Sequence, residues 1–279
     1  MKMHDNARLM AMDSNLLTSE RHARIRSLLA QDGRVLATRL AETFRVSEDT
    51  VRRDLREMAE AGLCQRVYGG AVPVAPFEGS LSERRGRAVE RKSALAAAIA
   101  AAIEPGSLLF IDAGSTNLAV AEQLAEDARL TVVTNAPAIA CALLERRGIE
   151  TILLGGRVDP LSGGCFGHKA MADAERFRPD VLILGACGVD AVRGVTGHIF
   201  EESEMKSALA ARSRQVFVAA TNDKLGTAAP YAVIPPDRIS VLFVEHDSAP
   251  EQWLPFDAME TRVVRASPEQ TRARRGAKA

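Results

Sequence analysis

Residues 46–58 carry a cluster of arginines whose spacing suits nucleic-acid binding. Read as a helix, this stretch turns an apolar stripe at the i, i+4, i+7 positions to one side and the arginines to the other. The stripe is Val51, Leu55 and Met58, and the arginines are Arg52, Arg53 and Arg56. Guanidinium groups on such a face can bind DNA phosphates or guanine edges. Taken alone, the stretch also fits a solvated helix whose arginines pair with neighbouring acids.

The residues around this helix favour the DNA-binding interpretation. Ser47 stands at the N-cap position, and residues 37–44 predict a second short helix joined to the first by Arg45-Val46. Two short helices joined by a tight turn are typical of a helix-turn-helix, whose second helix enters the major groove. Residues 20–31 predict a scaffold helix before them. We therefore expect DNA contacts from Ser47 and the three arginines.

A β-hairpin is predicted directly after the arginine-rich helix. Gly62 ends the helix, residues 63–68 alternate like a strand, and Gly69-Gly70 predicts a turn. Such a hairpin forms the wing of a winged helix-turn-helix. Arg66 on the wing is in reach of a neighbouring phosphate, so it joins the predicted DNA contacts.

A second set of polar residues follows several apolar strands. The set comprises Asp112, Gly114, Ser115 and Thr116 after the first strand, Thr134 and Asn135 after the second, Gly155 and Gly156 after the third, and Asp190 after the fourth. In a parallel α/β sheet, ligands collect where strand ends meet helix N-termini. Glycines, hydroxyls and a helix dipole suit a phosphate. Together these loops predict a pocket for a small phosphorylated metabolite.

The elements that must position these loops alternate from residue 91 onward. Strands are predicted at residues 108–111, 130–134, 151–154, 181–185, 216–220 and 239–245, with a further strand at 261–265; helices are predicted at 91–103, 116–125, 137–147, 169–176 and 201–213. Strands that are apolar on both faces and separated by helices predict a parallel sheet covered on both sides. The run 94–103 predicts a buried helix.

Composition limits the classes of function. The chain has 279 residues, 47% of them apolar, and a formal net charge of zero, so any basic surface is local. The four cysteines form no C-x-x-C pair and follow no signal-peptide pattern, which predicts reduced thiols in a cytoplasmic protein. No apolar run is long enough for a membrane span. Neither a dinucleotide fingerprint nor a P-loop is present, and we expect no metal, no cofactor and no catalytic residue.

The N-terminal motifs resemble a known family. Residues 21–25, 40–42, 46–55, 62–63 and 66–71 resemble the DNA-binding domain of the DeoR family of bacterial transcription repressors. The resemblance runs through about fifty consecutive residues. It implies that Thr50, Arg52 and Arg53 lie on the recognition helix and contact DNA. We expect Asp54, by contrast, to brace an arginine, because DNA phosphates repel a carboxylate.

Residues 91–245 resemble the effector domain of the same family, which is similar in fold to ribose-5-phosphate isomerase. The matched segments include residues 111–116, 133–135, 154–156, 188–190, 194–196, 202–206 and 224–226. The resemblance implies that the first loop and Lys224 hold a phosphate, that Asp190 binds sugar hydroxyls, and that Glu204 and Lys206 belong to the site. Family members usually have an aspartate where this chain has Thr221. Either Asp223 replaces that aspartate or the ligand differs.

The predicted organisation is an extension at 1–18, a winged helix-turn-helix at 19–72, a linker at 73–90, a parallel-sheet α/β effector domain at 91–265 and a basic tail at 266–279. We expect a homo-oligomer, a dimer or tetramer, that binds a double-stranded DNA operator and is released by a phosphorylated sugar or polyol. The alternative is a sugar-phosphate isomerase with a DNA-binding appendage, in which Asp190, Glu204 and Lys206 or Lys224 supply acid-base groups.

Overall fold

The computed structural model describes residues 16–77 and 79–267. The chain divides into two compact units that meet in the sequence between Val74 and Ala75. Most of the predicted extension and of the predicted basic tail lies outside the described residues. Two of their residues belong to regular structure instead, since Thr18 begins the first helix and Ala266 ends the last strand.

The first unit contains three helices and a small sheet. Its elements are α1 (Thr18–Asp32), β1 (Val35–Leu36), α2 (Ala37–Phe44), α3 (Glu48–Glu60), β2 (Gln65–Val67) and β3 (Gly70–Val72). One apolar core holds the helices together, and its members include Ile25, Leu29, Leu40, Phe44 and the predicted α3 stripe. This agrees with the helix-turn-helix that the sequence predicts.

The wing also contains the short strand β1, which the sequence did not predict. β3 lies between β1 and β2 and is antiparallel to both. A two-residue strand is too short to show an alternating pattern, which explains why β1 was not predicted. Gly70 allows the pairing, because a Cβ atom there would lie 1.8 Å from the Val35 carbonyl oxygen.

The second unit is an α/β domain. Its elements are α4 (Leu81–Arg85), α5 (Val89–Ala102), β4 (Leu108–Ile111), α6 (Ser115–Gln123), β5 (Leu130–Thr134), α7 (Pro137–Leu143), β6 (Ile149–Leu153), β7 (Arg157–Val158), β8 (Cys165–Phe166), α8 (His168–Ala174), β9 (Val181–Leu184), β10 (Gly188–Asp190), β11 (Gly194–Gly197), α9 (Phe200–Arg212), β12 (Gln215–Ala220), β13 (Tyr231–Ile234), a 3₁₀ turn (Pro236–Arg238), β14 (Val241–Glu245), α10 (Pro250–Asp257) and β15 (Arg262–Ala266).

Seven of these strands form one parallel sheet in the order β15-β14-β12-β9-β4-β5-β6. Apolar clusters cover both faces of the sheet. One contains α5, α6 and α7 residues, and the other contains α8, α9 and α10 residues. The parallel α/β fold and the buried α5 are therefore confirmed. The carboxyl ends of β4, β9 and β12, which are neighbours in the sheet, point to the same edge.

Several parts of this unit differ from the sequence prediction, including the unpredicted helix α10. Residues 188–190 are a short strand, not a loop, in an antiparallel sheet of order β10-β11-β13. A hairpin of β7 and β8 follows β6. Residues 81–85, predicted as linker, form α4, because Ser80 accepts from the Glu83 N–H while the Glu83 carboxylate accepts from the Ser80 N–H.

In the part of the chain that the structure describes, no helix has the length and apolar character needed to cross a membrane.

Candidate nucleic-acid interface and ligand cleft

Helix α3 is built as the sequence predicts. The Ser47 hydroxyl accepts a hydrogen bond from the Thr50 N–H at 3.2 Å and so caps the helix N-terminus. The same hydroxyl lies 2.9 Å from the Thr50 Oγ1 atom. The inner face of α3 is fully buried in the core of the first unit. Its outer face is therefore the part of the helix that can meet a partner.

The arginines of α3 project from this outer face. Arg52 pairs with Glu48 at 2.7 Å and with Asp49 at 3.5 Å, and its side chain is 57% exposed. Arg53 lies 4.0 Å from Glu57 and is 64% exposed. Arg56 is also exposed. Exposed ion pairs within a helix contribute only about 0.3–0.5 kcal/mol, so the guanidinium groups can exchange these carboxylates for phosphates.

Asp54, on the same helix, has a structural role. Its side chain is fully buried and accepts from Arg21 Nε at 2.7 Å and from Arg21 Nη2 at 2.9 Å. The prediction that Asp54 braces an arginine is confirmed. His22, Asp54 and Glu57 come within metal-ligand distance of one another, but the guanidinium of Arg21 already occupies both Asp54 oxygens. This group therefore does not fit a cation.

The wing presents one predicted and one unpredicted side chain. Arg66 is exposed on β2, and Tyr68 at the hairpin tip is 93% exposed. Gly69 beside it has φ +77°, as the tight turn requires. An aromatic residue before Gly-Gly in a predicted hairpin was the signal that could have identified Tyr68.

The second unit contains a cleft at the carboxyl ends of β4, β9 and β12. Its lining includes Gly114, Ser115, Thr116, Lys206 and Lys224 from the predicted site, together with Pro76, Phe77, Gly79, Arg84, Ala113, Asn117, Leu161, Ser162, Gly185, Ala186, Cys187, His198, Ile199, Glu202, Ala219 and Thr221. The structure thus brings together residues that are far apart in the sequence.

The loop after β4 delivers the N-terminus of α6 to this cleft. Asn117 holds the loop, since its Nδ2 donates to the Asp112 carbonyl at 2.8 Å and to the Ile183 carbonyl at 3.2 Å. The first amides of a helix have no partner within the helix, and the helix dipole is positive at that end. Ser115 and Thr116 lie in this first turn. The arrangement suits an anion.

Lys206 lies between two carboxylates at the base of the cleft. Its Nζ is 2.5 Å from Glu202 Oε1, 3.1 Å from Asp112 Oδ2 and 3.0 Å from the Gly185 carbonyl oxygen. Burial opposes the charge of the ammonium, but the two carboxylates outweigh burial and raise the pKa of Lys206. Burial raises the pKa of Asp112 to about 6, although Lys206 acts in the opposite direction.

Lys224 enters the cleft on a turn after β12. Its Nζ donates to the Ala186 carbonyl at 3.3 Å, and only 8% of the residue is exposed. Glu245 supports the turn by accepting from the Asn222 N–H at 3.1 Å and pairing with Arg91 at 2.9 Å. Thr221 lines the cleft, whereas Asp223 is exposed and does not. The structure does not place Asp223 on the cleft wall, and both alternatives, replacement by Asp223 and a different ligand, stay predictions.

Several predicted site residues support the loops without lining the cleft. Asp112 contacts Lys206 from below, and its Oδ2 accepts from the Gly185 N–H at 3.0 Å. Thr134 is fully buried, and its hydroxyl donates to the Ile111 carbonyl. Asn135 is also fully buried, with its Nδ2 directed to the Cys165 carbonyl. Their polar groups bond the strand ends, and none of the three residues lines the cleft.

Four other predicted residues lie away from the cleft. Asp190 is buried and accepts from the Val192 and Arg193 N–H groups, which closes the turn between β10 and β11. Glu204 lies on another face of α9, in a groove with His168 and Phe200. Gly155 and Gly156 are exposed and absent from the lining. The structure does not place these four residues in the cleft lining, and their contact with a ligand stays a prediction.

Sequence reasoning missed two charged residues of the cleft. Glu202 lies one helical turn before Lys206, and this i, i+4 spacing was the signal that could have identified the pair. Arg84 comes from α4, in the stretch predicted as linker, so no strand-end pattern pointed to it.

Two family models match the chain. The model of the DeoR-like helix-turn-helix domain matches residues 21–76, and the model of the DeoR C terminal sensor domain matches residues 87–246. The first match lies almost entirely in the first structural unit, and the second lies within the second unit.

Individual proteins are also similar to this chain. The glycerol-3-phosphate regulon repressor of Escherichia coli strain K12 is 35% identical over 75% of this chain and 83% of its own length. A putative aga operon transcriptional repressor of Escherichia coli O157:H7 is 27% identical over 87% of this chain and 90% of its own length. Ribose 5-phosphate isomerase A of Methanocaldococcus jannaschii is 11% identical over 49% and 54%, with a TM-score of 0.36.

The structural likeness to the isomerase is too low to carry an argument, and the fold assignment rests on the parallel sheet and the sensor-domain match. The two domain matches cover most of the described chain, and their order is that of a helix-turn-helix followed by a sensor. The chain belongs to the DeoR family of DNA-binding transcriptional regulators.

Proposed function

We propose that the protein represses a sugar or polyol catabolic operon and leaves its operator when a phosphorylated sugar or polyol binds the cleft. The observation that carries this proposal is the cleft itself, where the N-terminus of α6 and the ammonium groups of Lys206 and Lys224 lie at one sheet edge. A phosphate group matches that combination of amides and cations. The glycerol-3-phosphate repressor among the relatives supports the same class of ligand.

The DNA contacts in this proposal are Ser47, Thr50, Arg52, Arg53 and Arg56 on α3 and Arg66 on the wing. Helix-turn-helix proteins read palindromic operators as dimers, with half-sites spaced by a helical turn or a multiple of it. We therefore expect a homo-oligomer working in the cytoplasm. Ligand binding shifts the population toward a conformer that no longer fits both half-sites. Coupling of about 1–3 kcal/mol would change DNA affinity roughly 5- to 150-fold.

The isomerase alternative receives less support from the geometry. Its acid-base candidates were Asp190, Glu204, Lys206 and Lys224. Asp190 closes a turn and Glu204 lies in a different groove, so neither lines the cleft. Lys206 is held between two carboxylates. We infer that the protein binds sugar phosphates without turning them over, and conversion of ribose 5-phosphate to ribulose 5-phosphate would contradict this.

The test is an operator-binding assay with a panel of phosphorylated sugars and polyols. A labelled duplex is first selected from genomic fragments by the full-length protein, and its anisotropy is then followed as each compound is added. We expect at least one compound to release wild-type protein. Lys224→Ala should stay on the duplex, whereas Lys169→Ala, an exposed lysine of α8, should behave as wild type. If no phosphorylated compound releases the wild type, the proposal fails.

A further inference from the structure

One wall of the cleft comes from the stretch that follows the DNA-binding unit in the chain. Pro76, Phe77, Gly79 and Arg84 all line the cleft, although the sequence predicts this stretch to be a linker. His198 contributes to the same wall, with its Nε2 3.3 Å from the Pro76 carbonyl oxygen and its ring edge-on to Phe77.

Helix α4 is fastened to the second unit by hydrogen bonds on both sides. The Leu81 N–H donates to the Leu161 carbonyl at 2.8 Å. Lys92 Nζ, from the first turn of α5, donates to the Arg84 carbonyl at 2.7 Å. Arg84 Nη2 in turn donates to the carbonyls of Leu161 at 3.0 Å and Ser162 at 3.3 Å. These contacts orient the Arg84 guanidinium toward the cleft.

The charge of Arg84 has no counter-ion in the described part of the chain. No carboxylate there lies within ion-pair distance of it, and its Nε is buried without a hydrogen-bond partner. The neighbouring arginines differ, because Arg85 lies 3.8 Å from Glu122 and Arg91 pairs with Glu245. A buried donor of a charged group is costly when it lacks an acceptor. An anion in the cleft would supply that acceptor.

Arg84 also sets the charge balance of the cleft. Lys206 and Lys224 are offset by Glu202 in the lining and by Asp112, which pairs with Lys206. With Arg84 counted, the described charged groups comprise three cations and two carboxylates. Without Arg84 these side-chain charges cancel, and the N-terminus of α6 would remain as the attraction for a phosphate.

We propose that Arg84 binds the anionic group of the effector and thereby ties helix α4, the first helix after the DNA-binding unit, to an occupied cleft. This inference rests on the proposed function and adds to it a residue that serves both recognition and signalling. Guanidinium binds phosphate through directed hydrogen bonds. Ligand binding then stabilises residues 79–92. This stretch joins the DNA-binding unit to the rest of the second unit in the sequence, so it is the covalent route by which occupancy of the cleft can affect DNA binding.

The experiment uses the full-length protein with inorganic phosphate as the probe and chloride at matched ionic strength as the reference. Phosphate affinity is read from the rise in melting temperature for wild type, Arg84→Gln, Arg84→Lys and the matched control Arg85→Gln. We expect about tenfold weaker phosphate binding in Arg84→Gln, the effect of losing a hydrogen bond to a charged group. Arg84→Lys should be intermediate, and Arg85→Gln should equal wild type.

Thermolysin cleavage within residues 79–92 supplies the second measurement. Phosphate should protect this stretch in wild type and in Arg85→Gln but not in Arg84→Gln. If wild type does not respond to phosphate or to any phosphorylated compound, the proposed function fails and this inference fails with it. If wild type responds and Arg84→Gln responds equally, or if Arg84→Gln is protected equally at saturation, only the role of Arg84 is overturned. Equal binding by Arg84→Lys and Arg84→Gln would also overturn the role of the guanidinium charge.

Discussion

The arginines of α3 and the lysine at the base of the cleft show how burial changes what an ion pair does. Arg52 and Arg53 pair with acids of their own helix while more than half of each side chain is exposed. Lys206 pairs with Glu202 at a similar spacing on α9, but its side chain is only 4% exposed. The exposed pairs are weak and exchangeable, whereas the buried pair fixes the geometry of its site. A basic residue paired with an acid one helical turn away is therefore exchangeable in one unit and fixed in the other.

The largest expected effect comes from removing the buried cation. Lys206→Met would leave Asp112 and Glu202 buried without their shared partner. We expect a loss of about 3–5 kcal/mol in the free energy of unfolding of the second unit, as for other broken buried pairs. Urea unfolding followed by Trp253 fluorescence measures this, because Trp253 is the sole tryptophan. A loss below about 1 kcal/mol would show that the buried pair is no stronger than the exposed pairs.

The next effect is a pH dependence. Asp112 has a folded-state pKa of about 6 against 3.8 as its ordinary value, so the folded state holds this proton more tightly. Its stabilising contribution is complete below about pH 4 and is lost as the pH rises through 6. Relative to Asp112→Asn, wild type should lose about 2 kcal/mol of unfolding free energy between pH 4 and 7. A difference that is constant with pH, or of opposite sign, would contradict this assignment.

Arg53→Ala should separate function from stability. We expect operator binding weakened by about 1–3 kcal/mol, the range for a good arginine contact, while the melting temperature and the response to phosphorylated compounds stay unchanged. Anisotropy of the selected duplex measures operator binding and its response to phosphorylated compounds, and thermal unfolding measures the melting temperature. Unchanged operator affinity would remove Arg53 from the DNA contacts, and a large fall in stability would show that its surface pair is not exchangeable.

The smallest expected effect comes from breaking an exposed ion pair of the second unit. Lys169 pairs with Asp173 at 2.6 Å with i, i+4 spacing, but 80% of the lysine side chain is exposed. Lys169→Met should change the unfolding free energy by no more than about 0.5 kcal/mol. Both lysines pair with an acid at i, i+4 spacing, so the difference in unfolding free energy between Lys169→Met and Lys206→Met reports the effect of burial. Similar losses in the two variants would show that burial does not control the strength of these pairs.

The parts of the molecule predicted from sequence are those with local causes. Helix α3 was predicted because its cap, apolar stripe and basic face lie within a few consecutive residues. The inner strands of the large sheet were predicted because they are mostly apolar on both faces. The loop after β4 was assigned to a ligand site because glycine and hydroxyl residues follow a strand directly, and Gly114, Ser115 and Thr116 do line the cleft.

The parts that were not predicted depend on long-range contacts. Lys206 meets Asp112 only because β4 and β9 are neighbours in the sheet and α9 packs beside them. Residues 188–190 were predicted as a loop because the short strand β10 has no alternating pattern that would distinguish it from a loop. Arg84 was assigned to a linker because the contact of α4 with Leu161 joins residues about eighty positions apart. No local signal in the sequence reports such pairings.

The most direct test of the account is the salt dependence of duplex binding for wild type, Arg53→Ala and Lys224→Ala. Each phosphate contact releases counterions, so the slope of log affinity against log salt counts the contacts. The account predicts that Arg53→Ala lowers the slope by about one and that Lys224→Ala leaves it unchanged. An unchanged slope in Arg53→Ala, or a lowered slope in Lys224→Ala, would contradict the assignment of DNA binding to the exposed arginines and of ligand binding to the cleft.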